Sequence, residues 1–163
     1  MGNDDDLRSF TLGKDGVFSG MKADAIFVDH TTVSATVTRD LAEVAKKLNV
    51  ATLDAPVSGG QAGAENGQLS IMVGGAEGIF EKVQPVIKSY GKSIRYIGET
   101  GAGQVAKMVN QICIAGVVQG LAEGLHFAKA NDLDVEATID VIAHGAAGSW
   151  QMINRYKTMM AGE

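Results

Sequence analysis

Residues 98–111 read GETGAGQVAKMVNQ, and this stretch decides how the rest of the chain is organised. Its three glycines end a short strand-like run and precede a long apolar segment. Glycine allows a backbone to turn sharply and to approach a ligand closely. If a helix begins near Gly103, Lys107 and Asn110 lie three residues apart and share one face of its first two turns. The stretch therefore predicts a strand, a glycine turn and a helix that presents an ammonium and a carboxamide side by side.

Lys107 is a candidate acid or base because of the residues that follow it. Residues 108–122 carry no charge, so the helix is expected to be buried on most sides, with Lys107 at the edge of an apolar environment. Partial desolvation lowers the pKa of a lysine and makes it useful in proton transfer. The plain alternative, a solvated surface lysine, describes most lysines on helices.

The composition is that of an acidic, glycine-rich protein, with 21 glycines in 163 residues and a net charge of −5. Because the chain has no basic run, nucleic acid and anionic membranes are not expected as partners. No metal-binding residues are predicted. The single cysteine, Cys113, is expected to be a buried small hydrophobe in a reducing compartment. The chain shows no secretory signal, and its longest uncharged run is too short and too polar to span a bilayer, so a cytoplasmic location is expected.

Residues 1–98 alternate between helix and strand signals, which is typical of an α/β layer architecture. The predicted order begins with one short capped helix, in which three aspartates precede Leu7 and Gly13 follows Leu12. It continues with a strand over 26–29, an amphipathic helix capped by Ser34, a strand over 50–54, a glycine-rich connection over 61–68, a strand over 69–74, a helix over 76–90 interrupted by Pro85, and a strand over 93–97.

After residue 98 the strand signals stop, and helical patterns cover 103–131, 135–144 and 149–160. Within the first of these, a glycine recurs every four residues (Gly116, Gly120, Gly124), which predicts a groove where another helix approaches closely. A helix that is apolar all round must be covered. We therefore expect a second subunit, in a homodimer or a higher homo-oligomer.

A second glycine-rich stretch, DAPVSGG at residues 54–60, follows a predicted strand, where α/β sheets usually bind ligands. Ser58 offers a hydroxyl group. The amides of Gly59 and Gly60 can converge into an anion-binding nest that suits a carboxylate. Taken alone, most Ser-Gly-Gly triplets form a tight turn that binds nothing.

Taken together, DAPVSGG at 54–60, GQLSIMVGG at 67–75 and GETGAGQVAKMVNQ at 98–111 resemble the β-hydroxyacid dehydrogenase family, which includes 3-hydroxyisobutyrate dehydrogenase and tartronate semialdehyde reductase. The resemblance covers nearly the whole chain. It implies the C-terminal part of a Rossmann-type NAD(P)-binding domain over 1–98, followed by the start of an all-helical substrate and dimerisation domain over 99–163. It also implies hydride transfer on a small 3-hydroxy acid or its semialdehyde.

The resemblance implies roles for two residues of the long helix. Lys107 matches the catalytic acid/base lysine of the family. Asn110 matches an asparagine three places further on that orients the reacting oxygen or the lysine. Many members carry this asparagine four places after the lysine, where the present chain has Gln111.

Further roles are implied at the ends of two strands. Ser58, Gly59 and Gly60 match the residues that bind the substrate carboxylate. Thr32 matches a threonine that borders the nicotinamide ribose of the cofactor. A catalytic role for the nearby His30 is the alternative, but no partner for it is visible in the sequence, which favours a turn histidine.

Family members open with a strand, a G-x-G-x-x-G turn that receives the cofactor pyrophosphate, and a residue that separates NAD from NADP. This sequence contains none of these, so the expected cofactor is NAD or NADP without a preference. We expect a chain that is truncated at both ends and has weak or absent turnover by itself. The alternative is a non-catalytic fragment that acts as a helical oligomerisation module.

Overall fold

The computed structural model describes residues 2–162, and the chain divides into two compact units, Met1–Val109 and Asn110–Glu163. The elements, in chain order, are α1 (Asp4–Leu12), α2 (Val17–Gly20), β1 (Ile26–Asp29), α3 (Ala35–Lys47), β2 (Ala51–Asp54), β3 (Val57–Ser58), α4 (Gly60–Glu65), β4 (Leu69–Gly75), α5 (Glu77–Ile87), β5 (Gly91–Gly98), α6 (Ala102–Ala130), α7 (Val135–Ile142) and α8 (Trp150–Ala161). The α/β class of the first unit and the helical character of the second are as predicted.

A five-stranded mixed sheet organises the first unit. β1 runs parallel to β2 and β5 parallel to β4, whereas β4 is antiparallel to β2 and to β3. β2 and β3 follow one another along the same side of β4, separated by Ala55 and Pro56. This short second strand places Ser58 on the sheet, and neither β3 nor the antiparallel step was visible in the sequence.

Two hydrophobic clusters hold the helices of the first unit on the sheet. One joins α1 and α2 to α3 through the buried residues Leu7, Phe18, Val37, Leu41 and Ala45. The other joins β2 and β4 to α5 through Leu53, Ile71, Val73, Phe80 and Ile87. Full burial of one such side chain stabilises the fold by about 1.5–3 kcal/mol. The predicted cap of α3 is present, because Ser34 Oγ accepts the amide hydrogen of Val37 at 3.1 Å.

The prediction of a glycine-rich connection over 61–68 was wrong in part, because residues 60–65 form the six-residue helix α4. The predicted interruption at Pro85 is a helix end, since α5 continues for only two residues beyond this proline. A proline removes one backbone hydrogen bond and its ring clashes with the preceding turn, which disfavours a longer helix around it.

In the second unit, helices α6, α7 and α8 surround a small core formed by Leu121, Leu125, Ile139, Met152 and Tyr156. A cavity of about 460 Å³ lies among them, and Gly116, Gly120 and Gly124 line it, in agreement with the predicted groove. The expectation that α6 is buried on most sides is wrong for the single chain. Val109 is 57% exposed, Ile112 is 73% exposed, and Cys113 is exposed rather than buried.

Helix α6 is also long and apolar enough to cross a membrane when length and composition are the only criteria. The sequence argument against a span considered only the uncharged run, which is shorter than the helix of 29 residues. Core helices of globular proteins meet the same criteria, so the observation assigns no membrane role by itself.

Candidate active site

The start of α6 is fixed by the carboxylate of Asp54 at the end of β2. The amide hydrogen of Gly101 is donated to Oδ1 at 2.8 Å and that of Gln104 to Oδ2 at 2.9 Å. Amides in the first turn of a helix have no acceptor within the helix, and a negative charge is favoured there by the helix dipole. With only 1% of Asp54 exposed, a buried acid from a distant strand caps this helix.

The first turn of α6 lies so close to the sheet that two facing positions admit no side chain. A Cβ atom on Gly103 would lie 2.5 Å from the carbonyl oxygen of Met72 and 2.6 Å from that of Asp54. A Cβ atom on Gly74 would lie 2.6 Å from Asp54 Oδ1 and 2.7 Å from the nitrogen of Gly103. Since contacts under 3.0 Å are essentially never seen for real Cβ atoms, both positions require glycine.

Gln104 connects α6 to the segment that follows β1. Its side chain is fully buried, Nε2 donates to the carbonyl oxygen of Thr31 at 2.7 Å, and Oε1 accepts the amide hydrogen of Val33 at 3.2 Å. Thr32, between these two residues, is exposed. The predicted cofactor residue therefore projects from a segment whose backbone is held by the helix start.

Lys107 lies one turn further along α6, and only 8% of it is exposed. Its Nζ atom donates a hydrogen bond to the carbonyl oxygen of Val57 at 2.8 Å. Burial lowers the pKa of Lys107 from the ordinary lysine value, because the charged ammonium loses hydration. The desolvation expected from the sequence is present, although much of α6 is exposed. The amine itself is held against β3.

Ser58, Gly59 and Gly60 follow Val57 directly. Ser58 ends β3 and is partly exposed. Gly59 has a φ of +136° and Gly60 a φ of +61°, conformations that favour glycine. In the part of the chain that the structure describes, neither of these two amides donates a backbone hydrogen bond. A hydroxyl group and two unengaged amides thus stand next to the strand residue that holds the Lys107 amine.

Asn110 is the first residue of the second compact unit, three places after Lys107 on α6. Its carboxamide nitrogen donates to Oε1 of Gln111 at 2.9 Å. The two residues between which the family resemblance leaves a choice are therefore hydrogen-bonded to each other.

His30 has two partners, so the expectation that nothing pairs with it was wrong. Nδ1 lies 2.6 Å from the carbonyl oxygen of Ala55 and Nε2 lies 3.0 Å from the hydroxyl oxygen of Tyr90. Because a carbonyl oxygen only accepts, we assign the ring proton to Nδ1, and the Tyr90 hydroxyl then donates to Nε2. Burial raises the pKa of that hydroxyl. The two ring nitrogens thus contact a residue that follows β2 and a residue that precedes β5. This arrangement favours a structural role for His30.

Sequence reasoning gave no role to Asp54 or Gln104, although both stand in the quoted motifs. Their partners lie between 47 and 73 residues away in the chain, so no local spacing identifies them. The sequence signal that could have identified Asp54 and Gln104 was their position next to the glycines. Each is a polar residue at a glycine-rich junction between a strand and a helix, where a side chain must be buried.

Two family models together match almost the whole chain. Residues 1–98 match the NAD binding domain of 6-phosphogluconate dehydrogenase. Residues 101–163 match the NAD-binding domain of NADP-dependent 3-hydroxyisobutyrate dehydrogenase. The boundary between the matches follows β5, whereas the compact units divide within α6.

Comparison with individual proteins also relates the chain to oxidoreductases and to 3-hydroxyisobutyrate dehydrogenases. An uncharacterized oxidoreductase of Shewanella frigidimarina is 61% identical over 163 residues, which is 100% of this chain and 56% of that protein. The crystal structure of 3-hydroxyisobutyrate dehydrogenase from Salmonella typhimurium has a TM-score of 0.88 and 30% identity, and the match covers 99% of this chain and 56% of that one. A structure of Mycobacterium tuberculosis 3-hydroxyisobutyrate dehydrogenase with L-serine has a TM-score of 0.80 and 29% identity, covering 95% of this chain and 52% of that one. The chain spans about half the length of the curated relatives it matches.

Proposed function

Because the chain belongs to the β-hydroxyacid dehydrogenase family of NAD(P)-dependent oxidoreductases, we propose that it serves reversible hydride transfer between NAD or NADP and a small 3-hydroxy acid or its semialdehyde. The observation that carries this proposal is the buried Lys107 amine, bonded to Val57 and next to the Ser58 triplet. It combines a proton-transfer group and an anion site within one compact unit.

Lys107 is the proposed acid/base. One N–H bond to the carbonyl oxygen of Val57 orients the amine and leaves the remaining positions on Nζ for substrate. As the neutral amine, Nζ accepts the proton of the substrate hydroxyl during oxidation. As the ammonium, it donates that proton to the carbonyl oxygen during reduction. The lowered pKa favours the neutral amine that oxidation needs, and it makes the ammonium that reduction needs a stronger acid.

Ser58, Gly59 and Gly60 are the proposed carboxylate site. In a 3-hydroxy acid the hydroxyl-bearing carbon is separated from the carboxylate by a single carbon, so the groups that bind the two ends must be neighbours. Val57, which holds the amine, directly precedes Ser58 in the chain. L-serine, named with the Mycobacterium tuberculosis enzyme, is itself a small 3-hydroxy acid.

NAD or NADP, when bound, supplies the acceptor or donor of the hydride. The segment after β1 fits the nicotinamide end of such a cofactor, since it lies at the carboxyl end of a parallel strand, where α/β sheets bind dinucleotides. Gln104 already occupies the carbonyl of Thr31 and the amide of Val33, which leaves the exposed Thr32 as the residue that would border the ribose. The role of Asn110 stays a prediction from the family match.

The test has a binding step and a turnover step. The 163-residue chain is titrated with NADH and NADPH while nicotinamide fluorescence is followed. For turnover, this chain replaces the matching 163 residues of the Shewanella frigidimarina relative, and the resulting chimera is assayed with 3-hydroxyisobutyrate and tartronate semialdehyde. We expect turnover of a small 3-hydroxy acid or semialdehyde by the chimera.

Substitution of the lysine separates the proposed chemistry from the fold. In the chimera, Lys107→Met should lower kcat by about 10²–10⁴, the usual contribution of a general acid or base. Lys129→Met is the matched control, because Lys129 is an exposed lysine of the same helix. A Lys107→Met chimera that keeps the unaltered rate would refute the proposed role.

A helical oligomerisation module without catalysis is the second candidate, supported by the exposed apolar residues of α6. Val105, Val109 and Ile112 are each at least half exposed in the single chain. The same surface supports a homodimer or a higher homo-oligomer if the protein is an enzyme. Absence of turnover in the chimera together with absence of cofactor binding would favour the module.

A further inference from the structure

We propose that Asp54 and Gln104 are a positioning pair: Asp54 fixes the start of α6, and thereby Lys107, against the sheet, and Gln104 fixes the segment that carries Thr32 against the same helical turn. Neither residue is proposed to touch substrate or cofactor. The inference rests on the proposed function, because it gives Lys107 and Thr32 their importance.

Asp54 controls where the helix begins. Its two carboxylate oxygens accept two amide hydrogens of the first turn, and its own backbone oxygen lies against Gly103. The contacts at Gly103 and Gly74 leave no space for the turn to move toward the sheet. The backbone of Lys107 lies one turn after this fixed start, so the cap sets the position from which its side chain reaches Val57, 2.8 Å from Nζ.

Gln104 extends this control to the segment after β1. Both functional groups of its carboxamide are used, one on Thr31 and one on Val33, and the side chain is fully buried. Because both the oxygen and the nitrogen of this carboxamide are hydrogen-bonded, it fixes the distance between α6 and the segment after β1. Movement of either element would break a hydrogen bond in the interior. The helix that carries Lys107 and the backbone on both sides of Thr32 are thus placed by one residue.

A merely structural role is the competing explanation, and Asp29 provides the matched control for it. Asp29 ends β1 and is paired in register with Asp54 on β2. It is also buried, but its carboxylate accepts the amide hydrogen of Thr31 at 2.9 Å and, within residues 2–162, none from α6. Loss of either carboxylate removes a hydrogen bond at a strand end, whereas of the two only Asp54 is hydrogen-bonded directly to the start of α6.

The experiment uses the 163-residue chain and NMR, without any assay of activity. The Cε and Hε signals of Lys107, assigned by their loss in Lys107→Arg, are titrated with pH in the unaltered chain and in Asp54→Asn, Gln104→Met and Asp29→Asn. Amide hydrogen exchange is measured at Gly101 and Gln104. Asparagine retains one acceptor oxygen but turns an NH₂ group toward the other amide, so it breaks one bond with little change in shape.

We expect Asp54→Asn to shift the titration midpoint of Lys107 upward, toward that of a solvated lysine, and to accelerate exchange at Gly101 or Gln104 by about tenfold or more. Gln104→Met should shift the midpoint in the same direction. Asp29→Asn should change neither, even if it lowers the unfolding midpoint as much. Equal behaviour of Asp54→Asn and Asp29→Asn would overturn the proposal.

The unaltered chain decides the question if the variants do not fold. Protected amides at Gly101 and Gln104 support the carboxylate cap, and rapid exchange at both would overturn it. The outcome is separable from that of the proposed function. A chimera that is active without Lys107 refutes the acid/base role but leaves the titration result standing, and an unchanged midpoint refutes only the positioning pair.

Discussion

The Nζ atom of Lys107 donates to the carbonyl oxygen of Val57 at 2.8 Å, across 50 positions of sequence. This bond brings the amine of a helix to the strand that leads into Ser58, Gly59 and Gly60. Burial lowers the pKa of Lys107 at this position. The proposed site around this contact leads to predictions about pH dependence, stability and substrate binding, each of which can be measured.

The two directions of the reaction should respond to pH in opposite ways. If Lys107 is the proposed acid/base, oxidation needs its neutral amine, and kcat of the chimera should rise as pH increases through the lowered pKa. Reduction requires the ammonium and should fall over the same interval. Rate profiles with the hydroxy acid and with the semialdehyde test this, and two profiles that change in the same direction would contradict it.

The unfolding free energy of the chain should rise with pH because of Lys107. Its pKa is lower in the folded chain than the ordinary value of 10.5, so between these two values the unfolded chain binds more protons and stability increases with pH. Below the lowered pKa the folded chain must keep a buried ammonium. In urea unfolding at several pH values, the free energy of unfolding of the unaltered chain and of Lys129→Met should increase over this interval relative to that of Lys107→Met.

Gly103→Ala should destabilise the first unit, because the added Cβ would overlap the carbonyl oxygens of Met72 and Asp54. Overpacking of this kind costs about 1–3 kcal/mol. Gly78→Ala is the control, since Gly78 lies in α5 and a Cβ there meets no atom within 4 Å. That control should be neutral or slightly stabilising in urea unfolding. Equal stability of both variants would contradict the close approach of α6 to the sheet.

Ser58→Ala should raise KM for the acid in the chimera by about tenfold or more, with a smaller effect on KM for the cofactor. A hydrogen bond to a charged group contributes about 1.5–3 kcal/mol, which corresponds to such a change. Ser70→Ala is the matched control, because Ser70 is the exposed cross-strand partner of Ser58. Equal KM values for the two variants would remove Ser58 from the carboxylate site.

Ile112→Glu should weaken self-association if the apolar surface of α6 is a subunit interface. Ile112 is 73% exposed in the single chain, and a charge there would have to be buried upon association. Gln119→Glu adds the same charge at an exposed polar position of the same helix. Light scattering after size-exclusion chromatography should show a smaller mass for Ile112→Glu at a given concentration. An unchanged mass would place the interface elsewhere.

The amino-acid sequence alone determined the order of the main helices and strands, because apolar periodicity, helix caps and glycine junctions are local signals. Ser34 caps α3 through the amide of Val37, three residues away, a distance that the sequence makes visible. Prediction from local signals failed at α4. The glycines among residues 59–67 indicated an irregular connection, whereas six of these residues form a short helix. The motifs also marked Lys107 and the Ser58 triplet as candidate site residues, from their residue types and positions in the pattern alone.

The tertiary structure decided what surrounds those residues. Lys107 is buried by a strand 50 residues away, the helix that carries it is capped by Asp54, and His30 is paired with Tyr90 across 60 residues. None of these contacts has a local signal, because hydrogen bonds between distant segments depend on how the sheet is ordered. The desolvation that lowers the pKa of Lys107 arises only in the folded chain, once the strands are arranged around the amine.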